Sequence, residues 1–366
     1  MARQSGHGAP RRPLFSSLPG AASRAAAMAV SCVAALTFAT AALSADKVRS
    51  GVTLATSDLA LFFARDRGYF AAENLDVEVV HFGAGPQMVA PLATGDLDVG
   101  GGTASAAFYN AAERKIDIRI VSNRSAMAPG YRYQTIVVRK DHVDSGRFKD
   151  YPDFKGMKIA LPAAGIGSVA VVDAMARRGG LRYSDIEQVY LAFAQIVAGM
   201  AGKAIDGALM VEPYGSMVQG LGTGVVFDTT QAVFPDEEIS FVFFGDKFAR
   251  ERPDVARRYM KAVLRGARDY NDAITDGRWN GSKAAKDVER LMGAAMGATP
   301  EQLRASFPHF AHPDGAINLE PMRKVLDFFK AQGLVTSKTV SVEQVIDMSF
   351  VNAAVKELGP YRRAAP

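Results

Sequence analysis

Residues Lys158–Gly180 read KIALPAAGIGSVAVVDAMARRGG: a short apolar strand, a Gly/Ala loop and an amphipathic helix. That layout turns backbone N–H groups and the positive end of a helix dipole toward whatever occupies the loop, a natural seat for an anion. A nucleotide phosphate fits badly. A phosphate-cradling loop needs a Lys-Ser/Thr pair at the helix start, and here Gly167 is followed by Ser168-Val169. The dinucleotide pattern needs three spaced glycines, and only Gly165 and Gly167 are present. A tight strand-to-helix turn with no ligand accounts for the stretch equally well.

Other residues could act with it. A second helix opens after Gly102, so Thr103 and Ser168 each offer a hydroxyl beside unpaired N–H groups, either as caps or as ligand donors. Arg124, in SNRSAMAPGYRYQ, carries a planar fork that could clamp two oxygens of a carboxylate or sulfonate, or could be an exposed loop arginine. Tyr131, Phe193 and Tyr214 could line a pocket or belong to the core. Glu212 could accept a ligand's amino group or brace a neighbouring loop. A catalytic site finds little support. His309 and His312 form an H-x-x-H with Asp314 nearby, but Pro and Gly around them indicate a loop rather than a helix presenting metal ligands. The expectation is no catalytic residue, no metal and no cofactor.

The elements that would position these groups repeat. GVTLATSDLALFFARDRGYFAAENLDVEVVHFGAGPQMVAPLATGDLDVGGG, from Gly51, runs strand, loop, helix, strand, loop, helix and a short Asp-led strand. KIALPAAGIGSVAVVDAMARRGGLRYSDIEQVYLAFAQIVAGMAGKAIDGALM, from Lys158, does the same. Short apolar strands of this kind are buried parallel strands, and two βαβαβ units imply two lobes whose strand-end loops face one shared cleft. YRYQTIVVRKDH and EISFVFFGDKFARERPD, which follow the two units, read as extended crossings, with Val137–Arg139 and Phe241–Phe243 as hinge candidates. After Pro253 the chain turns helical, which predicts an apron on the first lobe.

Charge and leader bound the function classes. SRAAAMAVSCVAALTFATAALSA supplies Arg24, an apolar run and small residues before Asp46, the pattern of a cleavable secretory signal peptide ending near Ala45. Residues 1–45 carry four arginines (Arg3, Arg11, Arg12, Arg24) and no acid, so their removal lowers the formal charge from +5 to +1. No basic stripe with interleaved aromatics appears, and nucleic acid is not an expected partner. The single cysteine, Cys32, leaves with the leader, and with it any disulfide or thiol nucleophile.

GYFAAENLDVEVV, LATGDLDVGGGTASAAFYNA, FKGMKIALPAAGIGSVAVV and AIDGALMVEPYG, in that order and spacing behind a signal peptide, resemble the periplasmic solute-binding proteins of nitrate/sulfonate/taurine-type ABC importers, the NMT1/THI5-like family. The resemblance covers roughly residues 52–242. It implies an α/β fold of the two-lobed periplasmic binding protein type II: mostly parallel sheets flanked by helices, a two-strand hinge and a C-terminal helical apron. Expected domains are the leader at 1–45, a first lobe at 46–138 and 243–366, and a second at 139–242. It further implies a periplasmic monomer that encloses one small solute, an organic anion or zwitterion, for a membrane permease with a separate ATPase. Thr56, Ser57 and Asp58, then Gly102, Thr103 and Ala104, would face the cleft from the first lobe. Ala164, Gly165, Gly167 and Ser168, with Glu212 and Tyr214, would face it from the second. Val211 stands where many relatives have Trp before Glu-Pro, which denies this chain an aromatic surface there. A ligand-sensing subunit for a membrane receptor is the alternative of another class. A THI5-like pyrimidine enzyme shares the scaffold only, since it needs a cysteine-rich iron site.

Overall fold

The computed structural model describes residues 44–116 and 118–363. The expected leader, apart from Ser44 and Ala45, lies outside them. In the first sheet β1 (Asp46–Val52) pairs in parallel with β2 (Leu75–His81) and β3 (Val99–Gly102). The second sheet repeats this with β6 (Lys158–Leu161), β7 (Glu187–Tyr190) and β8 (Gly207–Val211). Both repeats expected from the sequence are therefore present, but only their inner strands β1, β3, β6 and β8 are mostly buried; β2 and β7 lie at the sheet edges and are largely half-buried or exposed, because one of their sides has no neighbouring strand.

Each sheet is completed by an antiparallel strand that has just arrived from the other. β5 (Gln134–Arg139) follows β4 (Ile118–Ala126) of the first sheet but lies between β8 and β9 (Gly224–Thr229) in the second. β10 (Glu238–Gly245) follows β9 but lies between β3 and β4 in the first. The orders are β2-β1-β3-β10-β4 and β7-β6-β8-β5-β9. This corrects the hinge expectation. Val137–Arg139 and Phe241–Phe243 sit inside interior strands with neighbours on both sides, which is why these runs are so apolar. The chain passes between the sheets at 127–133 and 230–237 instead, where Met127 N–H donates to the Glu237 carbonyl at 2.8 Å.

The helical tail packs mainly on the first lobe. The helix Pro253–Asp272 starts with Pro at its first turn, where the missing N–H costs nothing. It buries Tyr259, Met260, Val263, Leu264 and Tyr270 against the helix Leu59–Asp66 and the helix Ser349–Leu358. Two tail segments also reach the second lobe. Phe328, from the helix Leu319–Ala331, meets Tyr183 edge-on at 5.3 Å, and Ser216 Oγ lies 3.2 Å from the Ala305 carbonyl. Among the described residues no helix is long and apolar enough to cross a membrane.

Candidate functional site

The loop after β1 is built around one carboxylate. Asp58 Oδ2 accepts the N–H groups of Thr53 (3.3 Å) and Ala55 (3.0 Å), folding residues 53–55 back onto the 3-10 turn Thr56–Asp58. The other oxygen of Asp58 pairs with Arg124 Nη2, and Arg124 Nε donates to the Ser57 carbonyl at 3.0 Å. Both partners of this ion pair are buried, Asp58 at 1% exposure and Arg124 at 9%, and burial pushes the guanidinium down to about 10. The fork expected to grip a ligand thus already holds the loop and its acid. Gly101 leaves the room: a Cβ there would collide with the guanidinium. Gly102 does the same for the neighbouring turn, since its Cβ would lie 2.8 Å from Gly85 Cα.

The second lobe meets the first edge to edge. Gly165, at φ +63°, presents its carbonyl to the Ala106 N–H at 2.8 Å. Gly167 N–H donates to Thr103 Oγ1 at 3.5 Å, and Ser168, opening the helix Ser168–Arg178, receives Gln134 Nε2 on its hydroxyl at 3.1 Å. Thr103 is therefore not a cap; the helix Ala106–Glu113 is capped by Ser105, whose Oγ accepts from Phe108 N–H at 3.2 Å. Thr56 Oγ1 donates to the Glu212 carbonyl, and Tyr214 Oη to the Leu54 carbonyl, both at 3.3 Å.

Between these contacts lies a cleft, part of it open to solvent. Its lining includes Ser57, Gly102, Thr103, Arg124, Ser168 and Phe193 among the residues singled out from sequence. The others sit elsewhere. Thr56, Asp58 and Ala104 are buried in the first lobe. Ala164 is not in the lining, nor are Gly165 and Gly167, whose backbones make the lobe-to-lobe contacts; Pro162, Ala163 and Ile166 of that loop face the cleft instead. Tyr214 stacks behind Phe193 at 4.9 Å and 13°. Tyr131 packs edge-on against Phe310 at 5.6 Å, away from the cleft. Glu212 braces its own helix: its carboxyl accepts from Ser216 N–H (3.1 Å) and Ser216 Oγ (2.8 Å).

Sequence reasoning missed the crossing segments. Tyr133, Gln134, Glu237, Ile239 and Ser240 line the cleft because the crossings run along its back. The one legible signal was the Glu237-Glu238 pair opening a strand that is otherwise apolar. Glu237 is 2% exposed, and its Oε2 has no hydrogen-bond partner among the described residues. Arg124 Nη1 and Gln134 Oε1 are likewise buried without partners. Arg124 and Glu237 are the charged side chains of the lining, and the rest is chiefly apolar. His309, by contrast, is buried beside Tyr270, whose hydroxyl lies 2.8 Å from Nδ1.

Burial pushes three carboxyls up: Glu237 to about 8, Glu212 and Glu238 to about 7. Their ordinary value of 4.5 applies in the unfolded chain, so the folded state binds more protons between the two values. Stability from these groups is then greatest at low pH and falls as pH rises toward 8. His309 works the other way, because burial holds it neutral and folding weakens below its ordinary 6.5. Glu237→Gln should therefore stabilise the protein more at pH 8 than at pH 5, by on the order of 3 kcal/mol. Urea titrations of both proteins at the two pH values check this, and a constant difference would mean that Glu237 ionises freely in the fold.

Two α/β lobes of this strand order, joined by two crossings around one cleft, define the type II periplasmic-binding-protein fold. The nitrate-binding protein NrtA of Synechocystis PCC 6803 superposes with a TM-score of 0.70 at 14% identity, over 86% of this chain and 89% of that one. The alkanesulfonate-binding protein SsuA of Xanthomonas axonopodis pv. citri, bound to MOPS, gives 0.65 at 19%, over 84% and 99%. The desulfurization enzyme DSZB shares the fold as well, at 0.60 and 15%, over 86% and 99%. At these identities the likeness is one of fold. The chain belongs to the NMT1-like family, whose profile matches residues 41–277. None of the curated protein sequences matches it.

Proposed function

We propose that this protein is the periplasmic solute-binding component of an ABC importer. It encloses a small organic anion or zwitterion between its lobes and delivers it, as a monomer, to a membrane permease driven by a separate ATPase. The observation that carries the reading is the cleft itself. Apolar side chains make up most of its wall, among them Ala55, Ile166, Phe193, Leu209, Val211 and Ile239, while a few polar atoms converge on it. That is the composition of a small-molecule site. Phe193, backed by Tyr214, offers a flat face for the solute's apolar body, with Val211 in the same apolar cluster.

Lobe closure would draw its driving force from contacts made only when the lobes meet, including Thr103–Gly167 and Thr56–Glu212. A thermal-shift screen of the chain from Asp46 tests the reading, with sulfonates, aliphatic and aromatic carboxylates, amino acids, nitrate and pyrimidines as probes. A folded-state ligand at a hundred times its Kd stabilises by about 2.7 kcal/mol, so one chemical class should raise the melting temperature clearly. A flat response across the panel, together with no small molecule released on denaturation, would count against solute capture.

A further inference from the structure

We propose that the cleft recognises a hydrogen-bond-donating nitrogen of its solute, an amine or ammonium group, at Glu237 beside the start of the helix Ser168–Arg178. The inference rests on the solute-capture reading and names the chemistry at one end of the same site.

A helix N-terminus in a cleft invites an external anion. Here a buried carboxyl of the protein already stands in that place. Glu237 Oε1 lies where a Cβ on Gly167 would be only 3.4 Å away, so a carboxyl already faces the start of this 11-residue helix. The other positive group of the lining is matched too, because Arg124 is paired with Asp58. An incoming inorganic anion therefore finds no uncompensated cation at this end.

What it does find is a shortage of donors. Among the described residues, Glu237 Oε2 and Gln134 Oε1 are buried acceptors without partners, and both residues flank the same turn, Gln134 through Ser168 and Glu237 through Gly167. Buried polar atoms left unpaired are costly, and a ligand that satisfies them recovers that cost. A neutral donor would satisfy one acceptor; an ammonium group brings several N–H bonds and the charge that a buried carboxylate lacks. Burial pushes Glu237 up to about 8, and a cation seated against it would favour the ionised form that burial opposes. Arg124 Nη1, the buried donor without a partner, leaves the solute's acceptor group to the first-lobe side of the cleft.

The test uses matched pairs that differ by an amino group against a methyl: 4-aminobenzoate and 4-methylbenzoate, 2-aminoethanesulfonate and propane-1-sulfonate, 3-aminopropionate and butyrate. Calorimetry gives Kd for each with the wild-type chain and with Glu237→Gln, and the melting temperature of the variant confirms that it is folded. At least one amino compound should bind the wild type about tenfold tighter than its methyl partner, and that preference should vanish in the variant. A methyl partner that binds the wild type equally well, or a preference that survives in Glu237→Gln, overturns the inference and leaves solute capture standing. Binding of no member to either protein overturns the inference, and, with a flat response in the wider thermal-shift panel and no small molecule released on denaturation, solute capture as well.

Discussion

Gly266→Ala should destabilise the protein by on the order of 3 kcal/mol, although alanine is the better helix former by about 1 kcal/mol. Gly266 lies in the middle of the 20-residue helix Pro253–Asp272, exposed to neither bend nor turn. A Cβ there would collide with the Ala60 carbonyl and come within 2.9 Å of Ala64 N. The obstacle is backbone, not the tip of a movable side chain, so the helices must separate. Separation opens the seam in which Phe62, Phe63 and Leu59 meet Tyr259, Met260 and Val263. The loss of those contacts outweighs the propensity gain. Gly220→Ala is the matching control, since a Cβ at Gly220 meets nothing within 4 Å. Urea midpoints followed by circular dichroism should fall sharply for the first and stay level or rise for the second. A Gly266→Ala midpoint at or above wild type would show that the two helices are not in backbone contact.

Arg124→Ala should be as damaging, for a different reason. Removing the guanidinium leaves Asp58, 1% exposed, as a buried carboxylate with only two backbone N–H partners. Deleting one partner of a buried ion pair costs about 3–5 kcal/mol, because the survivor keeps its desolvation and loses its counter-charge. The loop 53–58, which Arg124 also holds through the Ser57 carbonyl, would loosen with it, and Ser57 and Ala55 are cleft walls. Ligand affinity and stability should therefore fall together. The sequence left two readings open, a ligand clamp or an exposed loop arginine, and neither tied Arg124 to Asp58. A double-mutant cycle separates the two. Asp58→Asn with Arg124→Met should cost clearly less than the sum of the single changes. Additive costs would mean that the pair is not coupled, and a fully stable Arg124→Ala would restore the simple clamp.

Legibility followed the range of the interactions. The internal repeat was readable because each βαβαβ unit closes within about fifty residues, with helix ends such as Gly68 at φ +69° marked by their own residue types. Loops at strand ends were readable for the same reason, so Ser57, Gly102, Thr103 and Ser168 were found where the chain reverses at the cleft. Arg124 was found as a residue and misread as to partner, since nothing local announces that Asp58, 66 positions away, would reach it.

The sequence by itself determined two lobes of repeated α/β units, the segments whose strand-end loops face each other, and the helical character of the tail. Periodicity, caps and glycines encode those locally. Only the tertiary structure decided which residues wall the cleft. The two crossing segments exchange strands between the sheets, so β5 and β10 bury their apolar runs in the opposite lobe while Tyr133, Gln134 and Glu237 are left along the back of the cleft. It also decided the charge of the site. Arg124 is neutralised by an acid from the turn after β1, and Glu237 is isolated by burial, two outcomes of packing that no spacing of residues along the chain encodes.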